Sequence, residues 1–434
     1  MQKYLSILLL FLSISLSAQN DLIQSGPMVG YAEMKEVMLW VQTTQAAEVE
    51  IEYWVEGSPR TLFSTAKIKT AKNNAFTAHL LADEVEQGKK YEYRVLVNGK
   101  EAKRSYPLTF KTPTLWQYRT EPPALKIALG SCAYINEETS DRPGKPYGGD
   151  YQIFDAIYQQ KPDLMMWLGD NVYLRETDWY SRTGMRYRYT HSRSIPEMQP
   201  LLGNSINLAI WDDHDYGPND SDRSYARKDD VLEVFKDFWA NPSYGVNGQG
   251  GTTSFYEWND IQFFMLDDRW FRSPNELKTE ERDFLGKQQV DWLIESLVAS
   301  KATFKFVCVG GQVLNPVQKY EMMANIAPKE REYLLNRIVG EELKNVIFLT
   351  GDRHHSEFSM TEIKGIKIYD WTVSPLTSST HTASDEANTL RVAGSYIGDR
   401  NFGIMEVTGT RKERKLNLKL LGSDGKELWK YEIQ

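Results

Sequence analysis

Two hydrophobic patterns divide the chain near residue 120. In the first part, apolar and polar residues alternate in short runs such as residues 37–41 and 91–97, with turn residues such as Asn98-Gly99 after them. A period of two is that of a strand with one buried face. Short strands at this spacing predict an all-β immunoglobulin-like or fibronectin-like sandwich over residues 20–113. The proline-rich residues 114–123 are expected to form a linker.

From residue 124 to residue 434, mainly apolar runs alternate with segments of helical period. Residues 151–161, 230–240 and 286–299 show the helical spacing, and the end of the chain returns to strands with a hairpin about Ser423-Asp424-Gly425. The strand that leads to Cys132, the helical segment 151–161 and the strand that leads to Asp170 follow one another as a βαβ unit does. The sequence therefore predicts an α/β domain after the linker. The apolar runs are residues 125–129, 164–168, 207–210, 261–266, 304–308 and 346–349.

Five of these runs end directly in polar or ligand-forming residues. In open α/β sheets, ligands bind beyond the carboxyl ends of the strands, so the five loops are expected to meet. Together they offer a thiol, carboxylates, a phenol and imidazoles, which indicates a metallohydrolase. The loops are Gly130-Ser131-Cys132, Gly169-Asp170-Asn171-Val172-Tyr173, Trp211-Asp212-Asp213-His214-Asp215, Val309-Gly310-Gly311-Gln312 and Gly351-Asp352-Arg353-His354-His355.

Cys132, Asp170 and Tyr173 give the sharpest indication of a metal. A carboxylate at a strand end can bridge two cations, and a phenol three residues later can return to the same ion. Thiolate and phenolate together favour a ferric ion over magnesium. The alternatives are a helix cap at Asp170 with a packed Tyr173, and a disulfide or an inert thiol at Cys132. Cys308 lies inside an apolar run and is expected in the core.

Residues 211–215 crowd three carboxylates around one imidazole, and such crowding requires a compensating cation or arginine. We expect Asp213 to be a metal ligand and His214 to be a proton donor or a transition-state contact. Asp212 and Asp215 are expected in supporting positions that orient His214. A solvated acidic turn is the alternative interpretation.

Asp352 and His354 stand two residues apart, and on an extended segment they would point to one face and reach one site. His355 would then pack away from the site, and His191 and His381 are expected in surface or loop positions.

Arg269 and Arg272 are candidate substrate clamps, because arginine binds phosphate in a bidentate manner. The alternative for both is a structural ion pair with Asp267 or Asp268.

Charge and the amino terminus narrow the class of protein. A net charge of −8 argues against a general nucleic-acid-binding protein. Lys3, the apolar residues 4–16 and the small residues before Gln19 are typical of a secretory signal peptide over residues 1–18. The apolar run is shorter than the length that a transmembrane helix usually needs. A mature product that is secreted or periplasmic, without a transmembrane segment, is therefore expected.

The chain resembles the alkaline phosphatase D (PhoD-like) family of calcineurin-like metallophosphatases in the order of five motifs. The motifs are Ser-Cys, Gly-Asp-x-x-Tyr, Asp-Asp-His-Asp, Gly-Gly-Gln and Gly-Asp-x-His. The resemblance covers nearly all of the mature chain. It implies a four-layer α/β/β/α sandwich behind an immunoglobulin-like domain, with a ferric ion and calcium in the site. Carried over, Cys132, Asp170, Tyr173 and His354 would hold Fe³⁺, and Asp170, Asp213 and Asp352 would hold Ca²⁺. Gln312 occupies the loop where many metallophosphatases place a histidine, so either its amide ligates calcium weakly or water takes that place.

The resemblance implies a secreted phosphodiesterase or phosphomonoesterase that acts by metal-activated water or oxo attack, with His214 and Arg269 as catalytic residues. A lipid- or wall-polymer-directed phosphodiesterase is the first alternative, since aromatic residues such as Trp179 and Tyr187 would suit such a substrate. A non-catalytic glycan-binding surface protein is the second. Residues 175–200 and 378–400 are candidate lids.

Overall fold

The computed structural model describes residues 22–278 and 281–433, so the predicted signal peptide lies outside the described residues. In chain order the strands are β1 (Ile23–Ala32), β2 (Val37–Thr43), β3 (Glu48–Val55), β4 (Phe63–Ser64), β5 (Ile68–Lys69), β6 (Thr77–Ala82), β7 (Lys90–Val97), β8 (Lys100–Glu101), β9 (Thr109–Lys111), β10 (Leu125–Gly130), β11 (Leu164–Leu168), β12 (Ile206–Ile210), β13 (Ser254–Trp258), β14 (Ile261–Met265), β15 (Phe304–Cys308), β16 (Val346–Thr350), β17 (Glu357–Ile363), β18 (Ile366–Thr372), β19 (Asn401–Thr408), β20 (Lys415–Gly422) and β21 (Glu427–Ile433).

The helices lie between these strands, and 3₁₀ turns occur at Lys72–Asn74 and Pro196–Met198. The helices predicted from the apolar period are present as α1, α5 and α6. In chain order the helices are α1 (Gln152–Gln159), α2 (Arg182–Arg193), α3 (Gln199–Leu202), α4 (Asp213–Tyr216), α5 (Lys228–Phe238), α6 (Lys287–Ala299), α7 (Met323–Ile326) and α8 (Pro328–Gly340).

Two mixed sheets form the centre of the molecule. A nine-stranded sheet has the order β21-β20-β19-β10-β11-β12-β1-β2-β6, and a six-stranded sheet has the order β13-β14-β15-β16-β18-β17. The apolar runs are their parallel central strands: β10, β11 and β12 in the first sheet, and β14, β15 and β16 in the second. The carboxyl ends of three neighbouring strands therefore meet at one edge of each sheet.

Alternate residues of the central strands face opposite layers. Ile127 and Leu129 of β10 join a core that also contains Phe306 and Cys308 of β15, so the two sheets pack face to face. Ala128, between them, faces the core under α1, α2 and α5. Residues of α6 and α8 pack on the outer face of the second sheet. The fold is thus the four-layer α/β/β/α sandwich that the resemblance implied, and Cys308 is a core residue as expected.

The strand-rich amino-terminal region differs in one respect from a free-standing sandwich. One of its sheets is built on β3 and β7, with β4, β5, β8 and β9 at their sides. Its other strands, β1, β2 and β6, belong to the nine-stranded sheet, which β1 enters through its parallel pairing with β12 at Val29 and Ile206. A sheet is therefore continuous from the amino-terminal strands into the strands that carry the predicted ligands.

Candidate active site

The predicted metal ligands sit on unusual backbone, directly after strand ends. Cys132, Asp170, Asp352 and His354 all have φ between +51° and +62°, in the left-handed region that non-glycine residues rarely adopt. Residues persist in such conformations when their surroundings over-determine them, which is common at functional sites. Here the Cys132 N–H donates to the Gly169 carbonyl at 3.2 Å, which ties the β10 loop to the β11 loop.

Asp352 and His354 lie on a backbone conformation that differs from the predicted one. The segment after β16 is a loop with two left-handed residues, so the expectation of an extended segment was wrong. Both side chains nevertheless line the same cavity. His355 packs away from it as expected, fully buried, with Nδ1 2.9 Å from the Arg353 carbonyl oxygen.

A first group of donors gathers around the thiol of Cys132. Ligand atoms of Cys132, Asp170 and His354 all lie within 4.8 Å of one another, and the thiol lies 3.6 Å from Asp170 Oδ2. The hydroxyl of Tyr173 is 3.2 Å from His354 Nε2. Cys132 and Cys308 are both free thiols, so the disulfide alternative does not apply. A thiol, a carboxylate, an imidazole and a phenol at this separation fit one strongly Lewis-acidic cation.

A second group of donors consists of four carboxylates with the imidazole of His214 beside them, and it shares Asp170 with the first. Ligand atoms of Asp170, Asp213 and His214 lie within 4.8 Å of one another, and so do those of Asp212, Asp213 and Asp352. Within the described residues, Asp212 Oδ2 and Asp213 Oδ1 are buried without a hydrogen-bond partner. Oxygen donors of this kind suit a hard cation such as Ca²⁺.

The proton affinities of these carboxyl groups reflect the same crowding. Burial, and then the charges of Glu321 and Asp213, raise the pKa of Asp352 to about 7. Burial, and then the charge of Asp213, hold the pKa of Asp170 well above its usual range. Burial, and then Asp170, likewise raise the pKa of the Cys132 thiol. A bound cation would relieve this repulsion and favour the ionised forms, so the residues present fit a metal centre.

His214 stands at the mouth of this arrangement. Its side chain is 18% exposed, and its Nε2 lies 4.0 Å from Asp213 Oδ2. Its ring lies 4.4 Å from the ring of Tyr173, centre to centre. Burial lowers the pKa of His214, which favours the neutral imidazole with one N–H donor.

Asp215 supports the site through the backbone. Its carboxylate accepts from the N–H groups of Asn171 at 3.1 Å and Asp212 at 3.0 Å, and it completes a capping box at the start of α4. It therefore fixes the β11 and β12 loops against each other, whereas we had expected it to orient His214 directly.

Arg269 and Arg272 are fully buried among carboxylates. The Nε of Arg269 donates to Asp212 Oδ1 at 2.6 Å, and its Nη2 donates to Glu321 at 2.8 Å. Arg272 also pairs with Glu321. The structure thus favours the ion-pair alternative over substrate clamping, although the partners are Asp212 and Glu321; the nearest oxygen of Asp268 is 3.9 Å from Arg269.

Gln312 has no amide atom left for a metal. Its Nε2 donates to Glu357 at 2.7 Å and to Thr372 at 2.8 Å. Its Oε1 accepts from Asn315 at 2.9 Å and from Arg353 at 3.0 Å. Of the two alternatives for Gln312, this arrangement favours the one in which water takes that place, because both ends of the amide bind protein groups.

An open cavity of about 980 Å³ is lined by some of these groups, namely Asp170, Asp213, His214, Asp352 and His354. It also contains residues that carried no signal in the sequence, among them Glu321, Tyr147 and His381, whose ring lies 4.6 Å from that of His354. Asp220 joins Asp213 and Glu321 in a further set of close donors, and only its nearness to the acidic motif in the sequence hinted at this.

The two candidate lids differ. Much of residues 175–200 is helix α2, which packs on α5 through ion pairs such as Arg182 with Asp230 at 2.7 Å, so it is not a loop lid. Part of the segment 378–400 does border the cavity, through Thr380–Ala383 and Glu386.

The chain is similar in sequence to a curated phosphatase. The chain is 24% identical over 346 residues to alkaline phosphatase D of Bacillus subtilis (strain 168), a match that covers 67% of this chain and 56% of the relative. This chain thus spans only about half the length of that relative.

The fold matches solved structures over almost its whole length. A structure of PhoD superposes with a TM-score of 0.78 at 18% identity, over 96% of this chain and 93% of the other. Purple acid phosphatase PPD1 from yellow lupin (Lupinus luteus) seeds gives a TM-score of 0.69 at 12% identity, over 94% and 74%.

Two family models account for most of the chain. Residues 20–115 match a domain of unknown function, DUF7800. Residues 127–413, more than half of the chain, match the PhoD-like phosphatase model. The chain therefore belongs to the PhoD-like phosphatase family of phosphoric ester hydrolases, as its motifs had indicated.

Proposed function

We propose that this protein is a metal-dependent phosphoesterase that hydrolyses phosphodiesters or phosphomonoesters. The observation that carries the proposal is the pair of adjoining donor groups that share Asp170, one with sulfur, nitrogen and phenol donors and one made mainly of carboxylates. Cys132, Asp170, Tyr173 and His354 would hold Fe³⁺. Asp170, Asp213 and Asp352 would hold Ca²⁺.

The residues of the chain divide the work around the phosphoryl group. When bound, the cations supply Lewis-acid activation of water and neutralise phosphate charge. His214 faces the cavity as a neutral imidazole, so its N–H is placed to donate to a phosphoryl or leaving-group oxygen. Arg269 acts behind the site, where it holds Asp212 by its Oδ1 and leaves Oδ2 unpaired.

We further propose that the protein is exported. The proposal rests on residues 1–18, whose charge and apolar run are those of a secretory signal. Among the described residues, no helix is long and apolar enough to cross a membrane. Mass spectrometry of the amino terminus of the product recovered outside the cytoplasm tests this, with a first residue of Gln19 expected.

The first experiment compares the two cysteines. Cys132→Ala removes the proposed iron ligand, whereas Cys308→Ala changes a buried thiol in the core between the sheets. We expect Cys132→Ala to lose bound iron and at least about 100-fold of the activity on bis-p-nitrophenyl phosphate, since even indirect metal contacts are worth 10- to 100-fold. Metal content is measured by mass spectrometry of the purified proteins.

Two further measurements separate the metals. A calcium chelator is expected to abolish turnover by both the wild type and Cys308→Ala. Visible absorption from phenolate-to-ferric charge transfer is expected in the wild type and absent from Tyr173→Phe. Full activity and unchanged metal content in Cys132→Ala would refute the proposed iron site.

A further inference from the structure

A second, smaller cavity of about 140 Å³ opens beside the metal cavity. The two are neighbours, because Tyr147, His214 and Asn219 line both of them. Tyr173, a proposed iron ligand, also lines the smaller cavity. A substrate whose phosphoryl group lies at the metal centre can therefore extend an arm into this side cavity.

The side cavity has the opposite charge character from the metal cavity. Arg142, Lys145 and Arg175 line it against one carboxylate, that of Asp141. That carboxylate is already engaged, since it accepts from the hydroxyl of Tyr134 at 2.5 Å and from the Glu137 N–H at 2.8 Å. The side cavity is therefore suited to an anion.

Arg175 is the central cation of the side cavity. The residue is only 8% exposed, and its Nε is buried without a hydrogen-bond partner among the described residues. Within residues 22–278 and 281–433, the one ion pair of its guanidinium is with Glu176 at 3.6 Å, whose side chain is 53% exposed. A pair of that kind contributes little. A buried guanidinium with free donors is costly unless an anion binds it.

Other buried arginines around the site contrast with Arg175. Arg269 and Arg272 share Glu321, and Arg353 donates to Glu386 at 2.7 Å. Each of these guanidinium groups is therefore occupied by a carboxylate of the protein.

The carboxylate of Asp178, three residues after Arg175, is also occupied. Asp178 accepts from Nε of Arg188 at 2.8 Å, and Arg175 contributes only its backbone N–H to Asp178, at 2.9 Å. The side chain of Arg175 is thus left for a ligand, where the structure uses other arginines for internal ion pairs.

The backbone fixes Arg175 relative to the metal centre. It follows Tyr173 by two residues, and the intervening Leu174 donates its N–H to the His214 carbonyl oxygen at 3.0 Å. The guanidinium carbon lies 6.0 Å from the centre of the Tyr134 ring, which supports it on one side. The backbone therefore holds Arg175 close to Tyr173, and both residues line the side cavity.

We propose that Arg175 and the side cavity bind a second anionic group, a phosphate on an arm of the substrate. This inference rests on the proposed phosphoesterase function. The substrate class is then a phosphodiester in which an alcohol arm carries a further phosphate, with that arm lying in the side cavity, whose lining includes Tyr134 and Tyr147. A guanidinium binds phosphate through two parallel hydrogen bonds, which gives geometric selectivity as well as attraction.

Two symmetrical diesters test the inference without ambiguity about which arm enters the cavity. Bis(2-phosphoethyl) phosphate carries a second phosphate on each arm, and bis(2-hydroxyethyl) phosphate carries none. Hydrolysis of the central phosphodiester of each compound is followed by phosphorus NMR. We expect the wild type to prefer the first diester by about 10- to 100-fold in kcat/KM, the range of a hydrogen bond to a charged group. The net charge of −8 opposes a more anionic substrate, so the preference requires local contacts.

The matched variants are Arg175→Gln and Arg182→Gln. Arg182 lies on the surface of α2, outside both cavities, so its replacement removes the same charge elsewhere. We expect the ratio of the two kcat/KM values to fall to about 1 in Arg175→Gln, and to remain at the wild-type value in Arg182→Gln.

The outcomes distinguish a failure of the side-cavity inference from a failure of the proposed phosphoesterase function. Equal kcat/KM for both diesters in the wild type would overturn the side-cavity inference and leave the phosphoesterase function standing, and this arm needs no variant to fold. An unchanged ratio in a folded Arg175→Gln would overturn it as well. If the metal-loaded wild type hydrolysed neither diester, nor bis-p-nitrophenyl phosphate, nor the monoester p-nitrophenyl phosphate, the proposed function would fail and the inference with it.

Discussion

The carboxylate of Asp212 shows how single residues prepare the site. Its Oδ1 accepts from Arg269, while its buried Oδ2 has no partner among the described residues. Burial raises the pKa of Asp212, and the Arg269 guanidinium opposes that effect by favouring the ionised form. By binding one oxygen, the guanidinium also fixes the direction of the other. The role of Arg269 is therefore to position a donor, a role for which Lys would lack the planar geometry.

His214 is the residue whose replacement tests the chemistry most directly. We expect His214→Ala to lower kcat by about 10² to 10⁴, the usual range for loss of a proton-transfer group or transition-state contact. Because burial lowers the pKa of His214, the neutral N–H form is favoured. His214→Gln, which keeps a donor without a titratable group, is then expected to recover part of kcat and to keep the pH profile.

The control for His214 is His79→Gln, on strand β6, where Nε2 lies 3.1 Å from the Trp239 carbonyl oxygen, outside the cavity. It is expected to leave kcat unchanged. Initial rates on bis-p-nitrophenyl phosphate across pH are the measurement. A His214→Ala enzyme with near-normal kcat would exclude both roles for this residue.

The location of site residues that follow an apolar run could be predicted from the sequence. The location of cavity residues that lie in long loops could not. Cys132, Asp170 and Asp352 each come directly after a strand end, so the strand pattern alone placed them at one edge. Glu321 and Arg175 lie in irregular segments, and only tertiary packing brings them to the cavities. No local pattern in a sequence reports such packing.

At the level of elements, the glycine at the end of the β15 run is a steric requirement. A Cβ on Gly310 would lie 2.5 Å from Cγ of Asp212, closer than real Cβ contacts allow. We expect Gly310→Ala to displace Asp212, to lower activity, and to destabilise the fold by about 1–3 kcal/mol, the usual cost of overpacking.

The matched control is Gly340→Ala at the end of α8, where a Cβ meets nothing within 4 Å. The same chemical change is expected to stabilise the protein there by about 0.5–1 kcal/mol, because alanine loses less backbone entropy in a helix. Urea unfolding and initial rates on both variants give the comparison. Full activity in Gly310→Ala would show that Asp212 does not need its observed position.

Helix α2 shows why one element escaped prediction. Its sequence, residues 182–193, is rich in arginine and tyrosine, so no apolar stripe of helical period is visible. The buried face consists of Met185, Tyr189 and the stems of arginines such as Arg188. Long polar side chains bury their carbon atoms while their charged ends pair, and a binary hydrophobic pattern does not record this.

At the scale of the whole molecule, the site joins the two sheets. The β10, β11 and β12 loops of the nine-stranded sheet supply Cys132, Asp170 and Asp213, and the β16 loop of the six-stranded sheet supplies Asp352 and His354. Cations held by both sets would link the sheets across their shared edge. Metal removal is therefore expected to destabilise the whole fold in addition to abolishing turnover.

The pH dependence of that destabilisation follows from the raised carboxyl pKa values. In the metal-free protein the pKa of Asp352 is about 7, chiefly through burial, and that of Asp215 is also raised to about 7 by burial. Unfolded carboxyl groups titrate near pH 4. A raised folded pKa contributes stability that is complete below pH 4 and is lost as pH rises through 7, so metal-free stability should fall across that window.

We therefore expect the melting temperature of the chelated protein to fall below that of the metal-loaded protein by about 5 °C at pH 7.5. The gap should narrow as the pH is lowered toward 5, because protonation relieves the same repulsion that the cations relieve. In Asp352→Asn the chelated protein should lose part of this pH dependence, since one raised carboxyl group is gone. Calorimetry of loaded and chelated samples at matched pH is the measurement, and a gap that stays constant from pH 5 to 7.5 would show that the carboxylate cluster does not couple cation binding to folding.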